Sequence, residues 1–184
     1  MKKTILLLLI SFSGFAQIKN PETDFYLENG KVYWEHIYNV PDKGIDELKN
    51  YFEKEVVQSL NKSNIQFIEN YLSFVVNNDV VDYKKYGGTN AGTAMFVSFP
   101  MDYLVVIEFK SEKYKVTIKE IEITGNVITL GGINKSTDNI TTYFTKKKGT
   151  EFRDGSTLKT SMSYYDKYFN DKFILKNDSL KKDW

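Results

Sequence analysis

Residues 103–124, YLVVIEFKSEKYKVTIKEIEIT, carry two alternating apolar runs that can close on each other in only one way. Successive side chains of a strand point to opposite faces, so Tyr103, Val105, Ile107 and Phe109 share one side and Tyr114, Val116 and Ile118 share another. A hairpin turning at Ser111 and Glu112 sets Phe109 opposite Tyr114, Ile107 opposite Val116 and Val105 opposite Ile118. Every apolar pair then meets on one face, and a slip of one residue would expose them all. The other face pairs Glu108 with Lys115 and Val106 with Thr117. Beyond Ile118 the apolar phase shifts to Ile121 and Ile123, which predicts a bulge near Lys119 and Glu120.

The remaining elements are read around this hairpin. Residues 31–40 alternate, with Val32, Trp34, His36, Tyr38 and Val40 on one face, and form the first strand. Pro41 stops it, and Asp42 is placed to cap a helix over residues 42–61. Ile45, Leu48, Phe52, Val56 and Leu60 form that helix's apolar stripe. Extended segments are expected at 65–68 and 71–77, followed by a turn at 77–79. Further strands are expected at 93–99 and 127–130, and at 140–145. Gly125 and Asn126 read as a turn, 131–139 as a loop and 146–149 as a mobile charged run. From Ser156, a candidate cap, Leu158, Met162, Tyr165, Phe169 and Phe173 recur at helical spacing. The fold class is therefore α+β: an antiparallel sheet of about five to seven strands, a helix after the first strand and a C-terminal helix.

The N-terminus MKKTILLLLISFSGFAQ has two lysines, an apolar run and small residues at Gly14 and Ala16. It reads as a secretory signal cleaved after Ala16 and is too short for a mature transmembrane span. Residues 17–29 are expected as a linker, 30–176 as one domain and 177–184 as a polar tail. The chain contains no cysteine, which excludes a disulfide, a thiolate metal site and a lipid-modified cysteine. Export without disulfides leaves stability to the core, which aromatic residues at 15% can fill. Removing Lys2 and Lys3 takes the formal charge from +1 to −1. With Arg153 the only arginine, nothing in the charge favours nucleic acid. Sequons stand at Asn134, Asn139 and Asn177, and carry little weight if the host is bacterial, as the signal-like N-terminus suggests.

Candidate chemistry is sparse. His36 is the only histidine, and a lone histidine lacks the partners of a metal site or a catalytic triad. The stretch KKYGGTNAGT, residues 84–93, is glycine-rich but lacks the lysine and hydroxyl that close a phosphate loop, and reads as a mobile surface loop. No catalytic residue, cofactor or metal site is expected. The open face of the hairpin carries Lys110, Lys113, Lys115 and Lys119, with Leu104 and Val106 beside them. These lysines solvate the sheet or form a docking surface for an anionic envelope ligand. Glu108, Glu120 and Glu122 are the carboxylates that a hydrolase of envelope glycans would draw together.

Two segments, VYWEHIYNVPDKGIDELKNYF and YLVVIEFKSEKYKVTIKEIEI, resemble a bacterial exported domain-of-unknown-function family with a TATA-binding-protein-like (TBP-like) fold. The resemblance spans residues 31–124. It implies that fold and an export route and brings no catalytic residues, and the fold name does not imply DNA binding. The function expected is a non-enzymatic binding or assembly module of the envelope, engaging a protein, glycan or lipid. The carboxylate-dependent hydrolase is its alternative.

Overall fold

A computed structural model describes residues 17–129, 132–146 and 149–176. The expected signal sequence, the expected polar tail and the Asn177 sequon lie outside the described residues. The elements run β1 (Ile18–Lys19), β2 (Phe25–Glu28), β3 (Lys31–Asn39), α1 (Ile45–Tyr51), β4 (Lys62–Ile68), β5 (Tyr71–Asp79), β6 (Met101–Lys110), β7 (Lys113–Thr129), β8 (Gly132–Asn139), α2 (Ile140–Phe144), β9 (Thr145–Lys146), β10 (Glu151–Phe152) and α3 (Ser156–Phe173). Eight of the strands form one antiparallel sheet in the order β1-β2-β3-β7-β6-β5-β4, with β8 pairing the far half of β7.

The hairpin has the expected register: Phe109 pairs Tyr114, Ile107 pairs Val116 and Glu108 pairs Lys115. The bulge falls where the phase shift placed it. Asp102 pairs Glu122 and Leu104 pairs Lys119, so two residues, Glu120 and Ile121, oppose Tyr103 alone. Glu120 takes a left-handed φ of 52°, which restores Ile121 and Ile123 to the core side. At the turn, Glu112 has φ 62°, and its N–H and C=O bond to Lys43 and Val40 of the β3–α1 connection.

One face of the sheet is covered. Phe52 of α1's continuation packs on Tyr114 and Phe109, and Phe169 of α3 packs on Trp34 and Tyr103. The α3 stripe of Met162, Tyr165, Phe169 and Phe173 is buried, as are Leu48, Phe52 and Val56. Tyr114 carries its hydroxyl into this core, donating to the Phe173 carbonyl at 2.7 Å and accepting from the Leu175 N–H at 3.0 Å.

Several elements differ from the sequence reading. Asp42 has φ 66° and does not cap: the cap is Gly44, whose N–H donates to the Glu47 carboxylate at 3.0 Å. The helix then loosens to π geometry over Phe52–Val57. α3 likewise begins after Gly155, with Ser156 as its first helical residue. The expected linker contains β1 and β2, because Phe25 and Leu27 alternate into the core and pair with Trp34 and Val32. β5 does not turn at Asn77 but runs to Asp79 through an irregularity at Asn78, φ 54°. Met95–Ser98 is a 3-10 turn, not a strand.

Residues 113–129 are one strand, with no turn at Gly125. A Cβ at Gly125 would lie 2.5 Å from the Phe99 ring, so the glycine makes room for an aromatic side chain. Residues 132–139, expected as a loop, pair with β7, while 140–144 form α2 instead of a strand. Asn139 caps α2, its side chain accepting from the Thr141 N–H at 3.0 Å. Lys146, at the start of the charged run, pairs with Glu151 and Asp154, while 147–148 lie outside the described residues. The glycine-rich loop is tied to α3 by Lys85 and Tyr86, both bonded to Asp171.

Candidate functional site

With both long helical segments on one side, alternation leaves the other face of the sheet uncovered. Its central row is Ser73, Val106, Thr117 and Glu35, one residue from each of β5, β6, β7 and β3. Thr117 is buried and donates to Glu35 at 2.9 Å, while Val106 is half-buried. Towards the hairpin turn follow a row of Tyr71, Glu108, Lys115 and Ile37 and a row of Lys110, Lys113 and Asn39. In the opposite direction lie Val75, Leu104 and Lys119, then Asp102, Glu122 and Asn139.

All four lysines singled out in the sequence lie on this face, but in different settings. Lys115 reaches Glu108 at 3.4 Å and Glu35 at 3.6 Å. Lys110 reaches Glu108 at 2.9 Å, and the Lys110 hydrogen bond holds the Glu108 carboxyl below its usual range. Lys119 lies over the Tyr33 ring, 5.6 Å from its centroid. Lys113 stands directly across from Lys110 and has no carboxylate partner among the described residues.

A cleft of about 870 Å³ opens at the other end of the face. Its cause is a change of partner along β7: pairing with β3 ends at Ile118, and pairing with β8 begins at Glu122. The intervening bulge leaves a gap between β3 and β8. Val75 and Leu104 supply apolar lining, and Glu28, Asp102, Glu120 and Glu122 supply four carboxylates against Lys31 and Lys119. Glu122 accepts from Asn139 at 3.0 Å and Asp102 from the Asn78 N–H at 2.6 Å. Of the three carboxylates named from the sequence, the cleft gathers Glu120 and Glu122, whereas Glu108 stays with the lysines near the turn. Glu28, Asp102 and Glu120 are solvent-exposed. A carboxyl serving as a general acid is desolvated by apolar neighbours, unlike these.

The covered face holds two polar clusters that the sequence does not announce. His36 stacks beside Trp34 and Tyr38, and its Nδ1 lies 2.5 Å from the Asp24 carboxylate. Burial would raise Asp24, but hydrogen bonds from Lys19 and His36 outweigh it and hold the carboxyl below its ordinary value. Asp166 accepts from the Trp34 indole and the Asp24 N–H, both at 2.9 Å, and burial raises its carboxyl. No group of three or more histidine, cysteine or acidic side chains among the described residues could hold a metal ion.

In the second cluster, Asp79 accepts from Tyr103 and Tyr168, each at 2.6 Å, and is ion-paired with Lys172. Lys172 also donates to Tyr168 at 2.7 Å, so its three protons are taken up. Burial lowers the Lys172 ammonium and raises the Tyr103 phenol. Residues brought together across so many positions leave no local spacing signal. Only the polar i, i+4 pair Tyr168 and Lys172 on α3 hints at the network.

No helix among the described residues is long and apolar enough to cross a membrane. Known protein families and curated proteins include none that the sequence matches. Among solved structures, the chain is similar to a TBP-like protein from Parabacteroides distasonis, with TM-score 0.55 and 12% identity over 80% of this chain and 93% of that one. A DUF4468 family protein from Bacteroides ovatus matches at TM-score 0.44 and 11% identity, covering 78% of this chain and 80% of its own. The chain therefore has the TBP-like α+β fold.

Proposed function

We propose that the protein is an exported, non-enzymatic binding and assembly module of the bacterial envelope, which meets its partner through the uncovered face of the sheet. The observation that carries this reading is the cleft beside the β7 bulge, continuous with a row of half-buried apolar side chains on a face that no helix among the described residues covers. Apolar surface left half-exposed beside convergent polar groups is what a recognition site offers. The carboxylates of the cleft stand in solvent or bonded to amide donors, which suits acceptance of hydrogen bonds more than proton transfer.

Methyl NMR of the protein with and without a solubilised envelope fraction tests the reading. Val75, Leu104 and Val106 should shift while Met162 under α3 stays in place, and Leu104→Arg should abolish the shifts without unfolding the protein. Shifts confined to α3, or none at all at a protein concentration where the chain is monomeric, would refute it.

A further inference from the structure

The uncovered face is electrically polarised along β7. Near the hairpin turn stand Lys110, Lys113 and Lys115, of which Lys113 lacks a counter-ion among the described residues. At the cleft end stand Glu28, Asp102, Glu120 and Glu122, outnumbering Lys31 and Lys119. From Lys113 to Glu122 the strand spans about 30 Å. The central row of Ser73, Val106, Thr117 and Glu35 lies midway. A surface basic at one end and acidic at the other, whose central Glu35 is already bonded to Thr117 and Lys115 of its own chain, has ends that complement each other after a half-turn.

We infer that the occupant of this face is a second copy of the chain, packed sheet to sheet about a two-fold axis that crosses the strands at the level of Thr117 and Val106. This inference rests on the face being the interaction surface proposed above. In that arrangement Asp102 and Glu122 of each copy lie over Lys110 and Lys113 of the other. Val75 lies over Tyr71, and Tyr33 over Ile37, two of whose face-mates are exposed in the single chain: Ile37 is 54% and Tyr71 45% accessible.

Lys119, which approaches the Lys115 of the other copy, is drawn onto its own Tyr33, and Lys115 is held by Glu108 and Glu35. Glu35, which meets its own copy at the axis, is likewise held by Thr117 and Lys115, so the charges of the centre are paired within each chain, as interface cores require. Isologous two-fold pairing needs a single self-complementary patch, and twisted sheets stack about 10 Å apart. The four strands that carry these rows, β5, β6, β7 and β3, lie about 4.8 Å apart over about 30 Å and give a face on the order of 500 Å², towards the low end of what each partner contributes to a specific interface.

The test is sedimentation velocity on the wild type and on two charge-reversal variants, each first checked for a cooperative melt. One is Lys110→Glu with Lys113→Glu, acidic at both ends; the other is Asp102→Lys with Glu122→Lys, basic at both ends. The wild type should be a dimer that weakens as salt rises past about 0.15 M. Each variant alone should be monomeric, and the two mixed should form a heterodimer. Because Glu122 also holds Asn139, Glu122→Gln serves as a milder probe and should weaken the wild-type dimer several-fold with the melt preserved. A monomeric wild type, a dimer indifferent to both reversals, or two folded variants that fail to pair would overturn the inference. A monomeric wild type whose Val75, Leu104 and Val106 methyls still respond to the envelope fraction would sink the homodimer alone and leave the binding face standing.

Discussion

Lys172 shows how much a single side chain can depend on residues far away in sequence. Its side chain is 14% exposed, and its ammonium is paired with Asp79 while Tyr103 and Tyr168 complete the hydrogen bonding. Removing one member of a buried ion pair strands the other, so Lys172→Met should cost about 3–5 kcal/mol in urea unfolding. Adding Asp79→Asn should recover much of that loss, because the stranded charge is what destabilises. Asp24 makes a pH prediction. Its folded carboxyl is depressed below the ordinary aspartate value of about 3.9, so in acid the unfolded chain binds the proton more readily. The stabilisation from Asp24 is complete above that value and is lost as pH falls through the depressed folded value. Thermal melts from neutral to strongly acid pH should show the wild type losing its advantage over Asp24→Asn there. A difference constant over the whole range would contradict the ion pairs with Lys19 and His36.

At the level of elements, the β6–β7 hairpin was legible to the residue because alternation has period two and one face must be dry. Ile107→Ala should therefore cost about 2–5 kcal/mol and Glu108→Ala, on the open face, well under about 1 kcal/mol, as read by denaturant titration. Equal losses would mean the wrong register. Even the bulge could be read, since Ile118, Ile121 and Ile123 cannot share a face without an extra residue. β8 and α2 could not. GINKSTDN is polar, with no apolar alternation, and becomes a strand only because the far half of β7 offers its free edge. ITTYF is rich in β-branched and aromatic residues, yet the Asn139 cap and the burial of Ile140 and Phe144 make it helical. Gly125 misled for a related reason: its missing side chain serves Phe99 and makes no turn.

For the molecule as a whole, export remains a prediction read from residues 1–16: the mature protein should begin at Gln17 and fractionate outside the cytoplasm. Intact-mass spectrometry of the natural protein checks it, and a chain retaining Met1 in a cytoplasmic fraction would refute it. The sequence by itself determined the α+β class, the core stripes of α1 and α3, the central hairpin with its bulge, and the face on which the four lysines lie. Those follow from local periodicity and the cost of wetting apolar side chains, which act within a few residues of one another. Only the tertiary structure decided that β7 changes partner from β3 to β8 and so opens the cleft. It likewise decided that Glu120 and Glu122 meet Glu28 and Asp102 while Glu108 stays among lysines, and that Asp79 and Lys172 pair across 93 positions. Strand order and the meeting of polar groups depend on which surfaces remain free once the hairpin and helices have packed. No spacing in the chain encodes that competition.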